Sequence, residues 1–340
     1  MSERLDARRR RTIVYIAAAA LVATLAALIA HWPKPAPEAR REVGEPVAPQ
    51  LAGELGTVSA IRVTTKYETY TLARSASGWT MPERGDYPAR SDRIEQLARS
   101  LSTMVFARPM TRDDRKFDRI GLGDPRGGGQ GALVELRDGE GRTLFSRLVG
   151  YRSGRWYVRE PDDLQAWAVD QADLPPLQRA ALWLDLSIPG LRSQTPVAAT
   201  VEIGGAPPYA LRRADDGSWT LGPPFDRYRV SAPFALGVAA EALVSYAAVD
   251  VAPAGAHANA TLVAAHTTRM ESGLVVRAEL RRVGRAGWLT LTASGEGEAE
   301  PLADAINARA ARWTYALGDS DFEAFTTPLN VLATPMTGPR

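Results

Sequence analysis

The chain has no cysteine and only three histidines among its 340 residues. The first absence excludes disulfides, thiolate metal sites, a cysteine nucleophile and the cysteine of a lipoprotein-type anchor. Stability must therefore come from packing. The second absence leaves little for proton transfer, where histidine is the commonest group. His31 lies beside Trp32-Pro33, while His257 and His266 fall in an expected loop and helix without the H-E-x-x-H spacing that sets two imidazoles on one zinc. A G-x-S-x-G elbow is also missing, so a serine-hydrolase reading has no motif to rest on. Gly127-Gly128-Gly129-Gln130-Gly131 lacks the Lys-Ser/Thr pair of a phosphate loop and reads as a flexible loop. No catalytic residue, cofactor or metal site is expected. A hydrolase built from acids such as Asp92, Asp118 or Glu160 is the weakest reading, because no spacing groups them as paired carboxylates must be.

Charge is scarce in one place above all. From Thr12 to Ala30 the sequence TIVYIAAAALVATLAALIA carries none, long enough as a helix to cross most of a hydrocarbon layer roughly 30 Å thick. Thr12, Ile13, Val14, Leu21, Leu25 and Leu28 supply membrane-facing positions, and Trp32 sits where interfacial aromatics belong. Arg8, Arg9, Arg10 and Arg11 precede the run and hold that end in the cytoplasm. A cleaved signal peptide, with Thr24 and Ala26 at positions −3 and −1 of its site, would be cut inside the apolar run, so a retained anchor is the better reading. The expected location is the inner (cytoplasmic) membrane, single-pass, with a periplasmic body. Arg4 and Arg8–Arg11 against Glu3 and Asp6 put +3 ahead of the run, leaving about −1 of the total +2 for the rest. No clustered basic face points to nucleic acid.

Beyond the anchor, Pro33, Pro35, Pro37, Pro46 and Pro49 mark an extended spacer. A long internal repeat follows, with the globular region starting near Val58. Ile61-x-Val63, Tyr70-x-Leu72-x-Arg74, Gly78-Trp79 and Tyr87 recur as Val201-x-Ile203, Tyr209-x-Leu211-x-Arg213, Gly217-x-Trp219 and Tyr228. Each copy opens with alternating runs that read as a hairpin. A helix comes next: Ser91-Asp92 is the expected cap, and Ile94, Leu97, Leu101 and Val105 form one stripe. The second copy answers with Phe234 to Val249 after Ser231 and Pro233. Strands are expected at Leu133–Leu136, Leu144–Val149, Trp156–Val158, Leu274–Leu280, Trp288–Leu291 and Trp313–Leu317, and Leu174 to Leu186 bridges the copies.

The expected fold class is therefore α+β, a duplicated unit of antiparallel strands with an inserted helix in each copy. The spans are a cytoplasmic basic tail at 1–11, a transmembrane helix at 12–32, a Pro-rich linker at 33–54, and repeats at 55–190 and 191–340. Eight tryptophans are the most distinctive feature. Trp79, Tyr87, Trp219 and Tyr228 are read as structural anchors of the repeats, since aromatics dominate core burial.

Gly78-Trp79, Tyr87-Pro88-Ala89, Gly121-Leu122-Gly123-Asp124-Pro125, Val149-Gly150 and Trp156-Tyr157-Val158-Arg159 together resemble domain-of-unknown-function family 4340, over roughly residues 55–332. The resemblance implies a single-pass envelope protein of the kind often encoded beside the ATPase, permease and gliding-motility-type auxiliary subunits of an ABC-type transport system. It implies no catalytic residue. The leading expectation is a non-enzymatic, membrane-anchored periplasmic accessory or scaffold protein with an ABC-type permease or its auxiliary subunits as partners. The alternative is a glycan- or peptide-binding module using exposed aromatics.

Overall fold

Alternation of apolar and polar residues gives this chain its strands, and the computed structural model describes residues 41–336. Arg8–Arg11 and the anchor residues Thr12, Ile13, Val14, Leu21, Leu25, Leu28 and Trp32 lie outside the described residues. Among those described, no helix is long and apolar enough to cross a membrane. Residues 46–336 belong to one unit.

The fold is α+β with antiparallel sheets. The first sheet contains β1 (Val58–Thr64), β2 (Thr69–Ser75), β3 (Gly78–Met81), β4 (Tyr87–Pro88), β5 (Val105–Pro109), β6 (Ala132–Asp138), β7 (Thr143–Arg152), β8 (Arg155–Arg159) and β9 (Trp167–Asp170). Its order is β4-β3-β2-β1-β6-β7-β8-β9-β5. The second is built from β10 (Pro196–Ile203), β11 (Tyr209–Arg213), β12 (Trp219–Leu221), β14 (Ala248–Pro253), β15 (Thr261–Met270), β16 (Val275–Val283), β17 (Ala286–Ser294) and β18 (Trp313–Leu317), ordered β12-β11-β10-β15-β16-β17-β18-β14. Taken from β3 and β12, the two orders coincide strand for strand. Helix α1 (Ser91–Thr103) enters before β5, and α2 (Pro233–Ser245) enters before β14. The short β13 (Arg229–Val230) pairs instead with β19 (Ala333–Thr334).

One hydrophobic core runs through both sheets, from Val63, Leu72, Leu97 and Val134 to Val276, Leu280, Leu289 and Tyr315. Trp183, fully buried, stands in it from the connecting segment, with Tyr70 at 6.4 Å. A second cluster holds α2 through Leu236, Ala239 and Ala240 against Val201, Tyr209 and Leu211.

Several expectations are corrected. The spacer was expected to reach residue 54, yet Val47, Ala48 and Leu51 are buried, and the Val47 amide bonds the Met104 carbonyl at 2.9 Å. Two or three apolar side chains suffice to dock a segment too short to show any period. The second helix ends at Ser245 rather than Val249, because Val249 and Val251 already belong to β14, which pairs with β18. Val105 likewise opens β5 instead of closing the first stripe. Neither Ser91 nor Asp92 caps α1; the cap residue is Arg90, whose guanidinium holds Asp92 at 2.6 Å. His266 lies on strand β15, not on a helix: the residues Ala264, Ala265 and His266 are all buried, which hides strand alternation.

His266 packs on Phe325 with ring centroids 4.7 Å apart, and its Nε2 meets the Phe325 carbonyl at 2.9 Å. Burial pushes its pKa down from 6.5 to about 4, so the folded state keeps the imidazole neutral. Its contribution to stability is complete above about pH 6.5. It is lost as pH falls toward 4, because the unfolded chain takes up a proton that the folded chain refuses, at a cost on the order of 3 kcal/mol. Denaturant unfolding between pH 4 and 7 should show this slope, and His266→Gln, whose amide can still meet the Phe325 carbonyl, should flatten it. An unchanged slope in the variant would assign the effect elsewhere.

Candidate functional site

The hairpin joining β7 to β8 turns through Ser153 and Gly154, with φ of 51° and 78°, the left-handed pair of a two-residue turn. This fixes the register Tyr151↔Trp156 and Arg152↔Arg155. The two aromatic rings are therefore cross-strand neighbours, 4.7 Å apart and tilted by 51°. Trp156 is half-buried against the core, while Tyr151 stays 56% exposed.

Beside this pair lies a corner made of glycine. Gly121 closes the turn Asp114–Ile120 at φ 73°, and its carbonyl abuts the α-carbon of Gly150 on β7 so closely that a Cβ there would overlap it. A side chain at Gly123, Gly129 or Gly131 would likewise overlap neighbouring atoms of the corner. The Gly131 amide bonds the Gly123 carbonyl at 2.9 Å, Gly129 bonds Asp124 at 2.8 Å, and the Gln130 amide is accepted by Asp118 Oδ1 at 2.8 Å. Within residues 127–131, expected to be a flexible loop, Gly129 and Gly131 are thus packed backbone against backbone, while Gly127 and Gly128 face open space. Their amides are largely spent inside the fold, which leaves no cradle for phosphate. Asp124 caps the next turn through the Arg126 amide at 2.9 Å, and the Arg126 guanidinium holds its carboxyl below the usual range.

The opposite wall comes from the connecting segment. Leu174 and Leu177 are buried, and the Tyr70 hydroxyl donates to the Leu177 carbonyl at 2.9 Å. Glu68 accepts the Ala180 amide at 2.7 Å, tying the segment to the β1–β2 turn. In that turn Thr65 Oγ1 accepts the amides of Tyr67 and Glu68, and Tyr67 projects with 70% exposure. The result is an open groove of about 860 Å3, with Tyr67, Tyr151 and Trp156 as its aromatic lining and Asp118, Gln130, Arg152 and Gln178 as its polar one. Its size falls within the roughly 300–1,000 Å3 of small-ligand clefts.

The repeat anchors sit elsewhere. Tyr87 is fully buried; Trp79 is half-buried on the main core. Trp219 packs on the second cluster and donates Nε1 to Glu241 at 3.1 Å, and Tyr228 lies edge-on to Phe225 at 5.2 Å. Trp288 stacks on His257 at 4.3 Å. None of these lines the groove. Among the acids considered, Asp118 does line it, whereas Asp92 is held by Arg90 and Glu160 by Arg147 at 2.8 Å. Among the described residues no three His, Asp or Glu side chains gather as metal ligands would. Tyr67 and Tyr151 were not legible as site residues. The available signal was the Ser-Gly turn, which sets Tyr151 opposite Trp156 once the hairpin is recognised.

The model of the family described as Domain of unknown function (DUF4340) matches residues 79–260, more than half of the chain. That span includes the glycine corner, the β7–β8 hairpin and the connecting segment. Comparison with curated proteins and with solved structures returned no match.

Gly150→Ala should cost at least about 1–3 kcal/mol, as overpacking does when only backbone can yield. Gly139→Ala, where nothing lies within 4 Å, should stay within about 0.5 kcal/mol. Denaturant midpoints of the two variants decide this, and equal midpoints would contradict the packed corner.

Proposed function

The chain belongs to the domain-of-unknown-function family DUF4340, and from that premise we propose that it is a non-enzymatic, membrane-anchored accessory or scaffold protein of the cell envelope. In this reading residues 12–32 span the inner membrane, the N-terminus stays in the cytoplasm, and a duplicated α+β body stands in the periplasm. Its partners are the permease or auxiliary subunits of an ABC-type transport system. No cofactor takes part.

The observation that carries the reading is the coincidence of strand order in two sheets fused by one core. Such a body is a rigid platform with two related but differently decorated faces, suited to holding partners in fixed relation. The uncharged run at 12–30, preceded by four consecutive arginines, supports the anchor. A glycan- or peptide-binding module is the second reading, favoured by the aromatic groove.

Crosslinking of tagged full-length protein in native membranes, followed by mass spectrometry, tests the first reading. A permease or its auxiliary subunits should be recovered, and deletion of residues 1–32 should abolish the recovery. A chain that stays monomeric and unassociated after gentle solubilisation would contradict it.

A further inference from the structure

The groove beside the β7–β8 turn offers exposed aromatic surface, with Lys66 Nζ over the Tyr67 ring at 4.7 Å, and polar groups that the fold does not use. Tyr67 and Tyr151 are exposed, and the side chains of Gln130, Arg152 and Gln178 have no hydrogen-bond or ion-pair partner among the described residues. Asp118 Oδ1 accepts the Gln130 amide, and its second oxygen has no hydrogen-bond partner among the described residues. A carboxylate that only accepts, a guanidinium that only donates and two amides that do both make a complete set of hydroxyl partners. Aromatic rings beside them supply an apolar face. A sugar ring matches both features: its C–H face stacks on an aromatic, and its hydroxyls donate and accept around the edge.

Two further observations narrow the class. An extended peptide added to a sheet needs a free strand edge. Here β7 and β8 lie inside the order β6-β7-β8-β9, so none faces the groove. The matching end of the second sheet gives an internal comparison. There the β16–β17 turn, the counterpart of the β7–β8 turn, sets Arg282 opposite Gly287 at the positions where the first sheet sets Tyr151 opposite Trp156, and the β10–β11 turn, through Gly204, Ala206 and Pro208, has no aromatic residue. The strand order alone therefore does not demand the rings.

We infer that the groove binds a saccharide, stacked on Tyr151 and Trp156 and hydrogen-bonded by Asp118, Gln130, Arg152 and Gln178. This rests on reading the groove as a ligand site.

The test uses the full chain in lipid nanodiscs, since sugar-headed detergents would compete. Chitotetraose, maltotetraose, cellotetraose and an unstructured proline-rich dodecapeptide are titrated separately, with tryptophan fluorescence and saturation-transfer NMR as readouts. At least one tetrasaccharide should saturate with a Kd of about 10 μM to 1 mM. Tyr151→Ala and Arg152→Ala, both at exposed positions that leave the fold intact, should weaken it at least about fivefold, and Trp156→Ala at least about tenfold. A sugar bound equally well by all three variants would overturn the inference. Binding of the peptide alone would keep the groove as a ligand site and overturn the saccharide. Binding of none of the four would overturn both.

Discussion

Tyr87 stands at the seam where the two sheets join over their common core. It sits on the edge strand β4, fully buried, with its ring edge-on to Trp313 at 4.8 Å and to Tyr315 at 6.4 Å, both on β18. Ring pairs of this kind are worth about 0.5–1.5 kcal/mol each beyond their burial. Its hydroxyl donates to the Asp185 carbonyl at 2.8 Å and accepts from Arg309 Nη2 at 3.2 Å, and Arg309 also donates to that carbonyl at 2.5 Å. Burial pushes the Tyr87 phenol up, so it remains a neutral donor. Nearby, Arg84 grips Asp250 with two bonds, at 2.8 and 3.0 Å. Gly85, at φ 68°, lets the chain press against Pro253 and Trp313.

The connecting segment gains its shape from this seam. Asp185 is held at one end by Tyr87 and Arg309, the Arg90 amide bonds the Trp183 carbonyl at 2.8 Å, and Tyr70 fixes Leu177 further back. The same segment that closes the joint between the sheets therefore forms one wall of the groove. Two sheets with a common strand order then diverge at their turns. The first carries Tyr67 and the Tyr151–Trp156 pair, while the second carries glycine, alanine and proline at the turn matching that of Tyr67 and sets Arg282 opposite Gly287 at the positions of the pair. Shared topology sets the platform, and the turns set what each end of it presents.

Much of this frame was legible in the sequence. Alternation in Ile61-x-Val63 and Tyr70-x-Leu72, and the stripe Ile94, Leu97, Leu101, announce β1, β2 and α1. Strands buried on both faces were harder, and β15 was missed because its centre, Ala264-Ala265-His266, shows no period of two. Val47, Ala48 and Leu51 dock by tertiary contact alone, which no local pattern reports. The groove was the least visible part. It depends on a register set by one turn, on glycines whose meaning is close backbone approach, and on a wall some twenty residues further along the chain from β8.

The two sheets share one core and so should unfold as one cooperative body. Differential scanning calorimetry of the full chain, scanned alongside Tyr87→Ala, tests it most directly. A single transition is expected, with calorimetric and van't Hoff enthalpies that agree, and in Tyr87→Ala the whole transition should move down together. Two separate transitions in the native chain, or a variant that shifts only one of them, would contradict it.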